Sequence, residues 1–71
     1  MIAAELNGTF IDREIQFDWK FEHSRVNAKV WGYVREIHHS PDQVIVLLAG
    51  HDSMGDKTEF VLDPGSRVLD A

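Results

Sequence analysis

Six consecutive apolar side chains, Val44-Ile45-Val46-Leu47-Leu48-Ala49, constrain this chain more than any other feature. The run follows the turn-like Ser40-Pro41-Asp42-Gln43 and ends at Gly50, ahead of the polar run His51 to Lys57. It is too short to span a membrane and short for a helix, and Val and Ile suit a pleated surface. It reads as a strand covered on both faces, the centre of a small sheet or barrel.

At 71 residues the chain is read as one domain, residues 1–71, near the lower size limit for a core that stands alone. It has no cysteine, so neither a disulfide nor a thiolate zinc site braces it. Domains this small without such braces often gain buried surface by oligomerising. Met1-Ile2-Ala3-Ala4 lacks the basic start and long apolar run of a signal peptide, which sets the expectation of a cytoplasmic protein without membrane contact.

The cleanest periodicity lies in residues 14–22, where Ile15, Phe17, Trp19 and Phe21 alternate with Gln16, Asp18, Lys20 and Glu22. A period of two with aromatic and β-branched residues is a strand with one buried face. A longer extended run follows from Val26 to Ile37. Val26, Ala28, Val30, Gly32 and Val34 point to one side, and Asn27, Lys29, Trp31, Tyr33 and Arg35 to the other. Glu36 then falls where an apolar residue is due, so a bulge near Arg35-Glu36 is expected to restore the inward set and bend the strand. Gly32 in mid-strand fits a sharp coil or a close backbone approach.

The remaining signals are turns and short strands. Pro41 suits the second position of a type I turn joining the long strand to Val44–Ala49, and Asp63-Pro64-Gly65-Ser66 has the form of a type II turn. Thr58, Phe60 and Leu62 alternate, and Arg67-Val68-Leu69 reads as a short final strand. Near the start, residues 2–6 read as an edge strand or arm, Asn7-Gly8 as a hairpin turn, and Thr9-Phe10-Ile11 as a short strand. The expected fold is all-β, without substantial helix: a small five- to six-stranded antiparallel barrel or strongly bent sheet of the SH3-like or OB-like kind. The expected core is Ile15, Phe17, Trp19, Phe21, Val26, Ala28, Val30, Val34, Ile37, Val46, Leu48, Phe60, Leu62 and Val68.

Candidate chemistry is sparse. His38 and His39 are adjacent, so on a strand they point to opposite faces. A hairpin at Pro41-Asp42 pairs His39 with Val44 and Gly32 with His51, which puts His51 about 23 Å from His39 along the ladder. Fewer than three ligands converge, so no metal and no cofactor is expected. His51-Asp52-Ser53 holds the residue types of a hydrolase triad, but sequence neighbours cannot adopt that geometry. No Gly-x-Ser-x-Gly and no Gly-rich phosphate loop is present, and an enzyme is not expected.

The sharpest candidate is the stripe Lys29, Trp31, Tyr33 and Arg35, cationic at both ends and aromatic between. Trp, Tyr and Arg are enriched at protein interface hot spots, and the same combination stacks unpaired bases while its cations meet phosphates. Weighed against both is the alternative that Trp31 and Tyr33 are simply covered core aromatics. The net charge of −5 disfavours nucleic acid, and the dense Lys-Gly-Phe motifs of cold-shock and RRM domains are absent. On the neighbouring strand Ile45 and Leu47 emerge beside Glu36 and His38, on a face that a one-layer sheet leaves wet. The expected function is therefore a non-catalytic module. It acts by protein–protein contact or self-association, as a homodimer or larger, through Lys29, Trp31, Tyr33, Arg35, Ile45 and Leu47. The alternatives are a single-stranded nucleic-acid binder and an acidic inhibitor or mimic; the latter rests on seven acids against two bases from Glu36 onward.

Overall fold

A computed structural model describes residues 1–50 and 56–70. Five strands form one antiparallel sheet: β1 (Glu14–Phe21), β2 (Val26–His39), β3 (Val44–Ala49), β4 (Thr58–Leu62) and β5 (Leu69–Asp70). Their hydrogen-bonded order is β4-β3-β2-β1-β5. The 14-residue β2 organises the sheet. Its first part, Val26 to Tyr33, pairs with β1, and its second part, Tyr33 to His39, pairs with β3. The two hairpins are thus offset along one long strand.

The offset is accommodated where the inward alternation breaks. Val34 stands opposite Leu48 and Glu36 opposite Leu47, leaving Arg35 as the inserted residue of a bulge. Beyond it Ile37 returns to the inner face opposite Val46, and His39 meets Val44 as expected. The same insertion moves the ladder by one step, so Tyr33 faces Ala49 and the expected pairing of Gly32 with His51 does not follow. His51, Asp52 and Ser53 lie outside the described residues.

Of the two expected forms, a barrel or a strongly bent sheet, the described residues show an open sheet that curls without closing into a barrel. Among the described residues no ladder joins β4 to β5, and β5 pairs with only Ile15 and Gln16. The curl is nonetheless pronounced: β4 and β1 are separated by two strands, which in a flat sheet would set them about 14 Å apart. Instead the Trp19 and Phe60 ring centroids are 5.1 Å apart, and those of Phe17 and Phe60 5.4 Å, both edge-on.

Ile15, Phe17, Val34, Val44, Val46, Leu48, Leu62 and Val68 are buried on the inner face, with Trp19, Val30, Ile37 and Phe60 packed partly buried against them. Phe21 and Val26, expected in the core, are 49% and 52% exposed. They sit at the tip of the β1–β2 hairpin, beyond the part of the inner face that the curl and the N-terminal segment cover.

That N-terminal segment is the main departure from the expected strands. It forms two 3-10 turns, Ala3–Glu5 and Gly8–Phe10. Ala3, Leu6 and Phe10 drop from it into the core as a lid. Asn7 does not start a hairpin, because its Oδ1 accepts hydrogen bonds from Thr9 N (2.9 Å) and Thr9 Oγ1 (2.6 Å), capping the second turn. The lid is fastened at both ends. Ala3 N donates to Ser66 O (2.8 Å), Ala4 N to Pro64 O (2.9 Å) and Val68 N to Met1 O (2.9 Å). At the other end His39 Nε2 donates to the Leu6 carbonyl oxygen at 2.7 Å. The Asp63–Ser66 turn closes through Ser66 N to Asp63 O, but Gly65 lacks the positive φ that the expected type II turn requires.

Candidate functional site

With the lid on the inner face, the outer face of the sheet has no covering element among the described residues. Cross-strand pairing fixes its rows. Leu69, Gln16 and Trp31 form one row, and Glu14, Tyr33 and Ala49 the next. Beyond the bulge come Glu36, Leu47 and Glu59, then His38, Ile45 and Val61. Directly opposite residues share a face at close Cβ spacing, so an apolar band runs diagonally from Leu69 and Trp31 through Tyr33, Ala49 and Leu47 to Ile45 and Val61.

Exposure along this band decides what it can do. Trp31 is 66% exposed, Val61 42% and Leu69 37%, whereas Tyr33, Ile45 and Leu47 are half-buried by their neighbours. Trp31 is therefore not a core aromatic. It stands free because its row is flanked by the long but polar Gln16, and because β3 ends at Ala49, one row short of it.

The expected stripe is brought together only in part. Lys29, Trp31 and Tyr33 share the outer face, but Arg35 is the bulge residue and leaves the alternation. Its guanidinium carbon lies 5.9 Å from the Tyr33 ring centroid, and its Nη1 is held by the Asp12 carboxylate. Asp12 is turned toward it by a positive φ of 68°. Arg35 thus props Tyr33 and spends its charge on Asp12. Ile45 and Leu47 emerge where the alternation places them, opposite His38 and Glu36.

The charges around the band form a small network. Lys57 Nζ donates to Glu36 Oε2 at 2.6 Å, and His38 Nε2 lies 3.3 Å from Glu36 Oε1. Lys57 first, then His38, hold the Glu36 carboxyl below the usual glutamate range. Glu14, Glu36 and Glu59 share this face with Lys29. Among the described residues no three His, Cys, Asp or Glu side chains are grouped to hold a metal ion, and no helix is long and apolar enough to cross a membrane.

Residues that sequence reasoning missed are Val61 and Leu69 on the outer face. Their signal was available: each alternates out of phase with an inward neighbour, Leu62 and Val68 respectively. Among the described residues the chain is all-β, one antiparallel sheet with a lidded face and a face that no element covers. Comparison with protein-family models, with curated proteins and with solved structures finds no match.

Proposed function

We propose that this chain is a non-catalytic binding module, built on a half-open sheet of the SH3-like or OB-like kind, that works by protein–protein contact through its outer face. The observation that carries the reading is Trp31: a large aromatic two-thirds exposed on a sheet face that no described element covers. Exposed aromatics that continue into a contiguous apolar band mark interaction surfaces rather than scattered surface residues, and Trp and Tyr dominate binding energy where they are later desolvated. Lys29 and the Lys57–Glu36–His38 network form a polar rim around that band, the usual arrangement at protein interfaces.

The test is retention of partners from the native host on immobilised wild-type chain and on Trp31→Ala and Leu47→Asp variants. Proteins held by wild type and lost by both folded variants support the reading; retention unchanged by both defeats it. Titration with single-stranded oligonucleotides at low salt addresses the nucleic-acid alternative, since phosphate contacts weaken steeply as salt rises. Salt-sensitive binding lost in Trp31→Ala would replace the protein-contact reading.

A further inference from the structure

β1 has one edge that its neighbours leave half open. On that side β5 pairs only with Ile15 and Gln16. Before β5, the chain at Arg67 and Val68 turns away from β1 to meet the N-terminal segment: Ile2 bridges Arg67, and Val68 is fully buried. Val34 N donates to Arg13 O, in step with the β1–β2 register. The odd residues of β1 therefore turn their main-chain groups to β2, and the even ones turn theirs outward. Gln16 meets Leu69; Asp18 and Lys20 meet no strand among the described residues.

Open edges are ordinarily blunted by charge, but the charges here are self-complementary. We infer that this edge of β1 pairs antiparallel with the same edge of a second copy, about a two-fold axis at Trp19. That register sets Asp18 opposite Lys20 of the second copy and Lys20 opposite its Asp18, on the outer face. These are the two positions whose main-chain groups point outward, so each pair exchanges both its N–H···O bonds. On the inner face Phe17 comes opposite the half-exposed Phe21 of the second copy, and the two Trp19 side chains meet at the axis.

Neighbouring registers are disfavoured by charge. Centring on Asp18 sets it against its own copy, and centring on Lys20 does the same to Lys20 while bringing Asp18 against Glu22. Half-step registers place an inner-face residue opposite an outer-face one and reverse the second sheet. Within one chain neither Asp18 nor Lys20 has an ion pair among the described residues. Asp18 faces Lys29 and Lys20 faces neutral Asn27, so the pairing completes the row Lys29, Asp18, Lys20, Asn27 with alternating sign at its centre. The register would also set Glu22 of the second copy at Gln16, where Leu69 already pairs, so the intermolecular ladder runs from Phe17 to Phe21. Among the described residues, the open edge of β2 from Val26 to Gly32 carries Lys29 as its single charge and the free edge of β4 carries Glu59 as its single charge, and neither offers such a match.

This surface is separate from the Trp31 face, and the experiment distinguishes them. Sedimentation of the wild-type chain into the high micromolar range should show a weak dimer, unaffected by Trp31→Ala. Asp18→Lys and Lys20→Asp each place like charges opposite one another at both pairs and should weaken it roughly tenfold or more. Both sites are exposed, and circular dichroism confirms folding. Mixing the two single variants should restore dimerisation, because one chain then presents two lysines to two aspartates, and the Asp18→Lys/Lys20→Asp double variant should self-associate like wild type. A wild type that stays monomeric, a dimer indifferent to the single reversals, or a mixture that fails to recover each overturns the inference. A dimer lost in Trp31→Ala but kept in the charge variants would move the contact to the outer face.

Discussion

A Cβ added to Gly32 would stand 3.2 Å from the Leu48 Cβ and 3.3 Å from the Ala49 carbonyl oxygen. Gly32 sits where β2 stops pairing with β1 alone and begins to pair with β3, and the missing side chain lets the two backbones close there. A branched side chain at this site would push against a buried neighbour and a main-chain atom. Gly32→Val should lose about 1–3 kcal/mol, read as a lower urea midpoint. An unchanged midpoint would mean that the junction gives way without cost.

The lid is a structural part of the core, not an arm. Leu6 is fully buried, and its carbonyl is held by His39. Leu6→Ala should cost about 2–5 kcal/mol, a large share of the about 4–10 kcal/mol that a chain of this length holds. Denaturant unfolding measures it, and a cost below that of an exposed-site substitution would show that the lid is dispensable.

Glu36 makes part of the stability depend on acid pH. Lys57 and then His38 lower its pKa in the folded state. The stabilisation is therefore fully present above the unfolded-state value and is lost as pH falls through the lower, folded-state value. Lys57→Met should return the Glu36 carboxyl toward the usual glutamate range in a carboxyl NMR titration, with a small change in stability because the pair is solvent-exposed. A titration curve identical to wild type would remove Lys57 as the cause.

The two tryptophans should behave oppositely. Trp19 packs edge-on against Phe17 and Phe60 at centroid distances of 6.4 and 5.1 Å, so Trp19→Ala should cost about 3 kcal/mol or more. Trp31→Ala should stay within about 0.5 kcal/mol of wild type. Equal losses at both positions would mean that Trp31 is covered.

Alternation made the sheet legible from residues alone. Ile15, Phe17 and Trp19 marked one inner face, the misplaced Glu36 marked the bulge at Arg35, and Ser40–Gln43 marked the hairpin that sets His39 against Val44. Alternation assigns a face but not its cover, which is why Phe21 and Val26 were expected inside and lie beyond the lid. It is silent for 3-10 turns of three residues, so Ala3, Leu6 and Phe10 gave no periodic signal. At the candidate site it placed Lys29, Trp31, Tyr33, Ile45 and Leu47 on one side. It failed for Arg35 because the bulge that rescues the inner face removes the inserted residue from the outer one. Closure into a barrel depends on how far the edges of the sheet reach, and no local pattern encodes that.

The outer face is tested most directly by placing a photo-crosslinking side chain at position 31 in the native host, with position 7 on the opposite, lidded side as control. A working interface around Trp31 should give discrete protein adducts from position 31 that are absent from position 7 and are lost when Leu47 is changed to Asp. No adducts from position 31, or the same adducts from both positions, would contradict it.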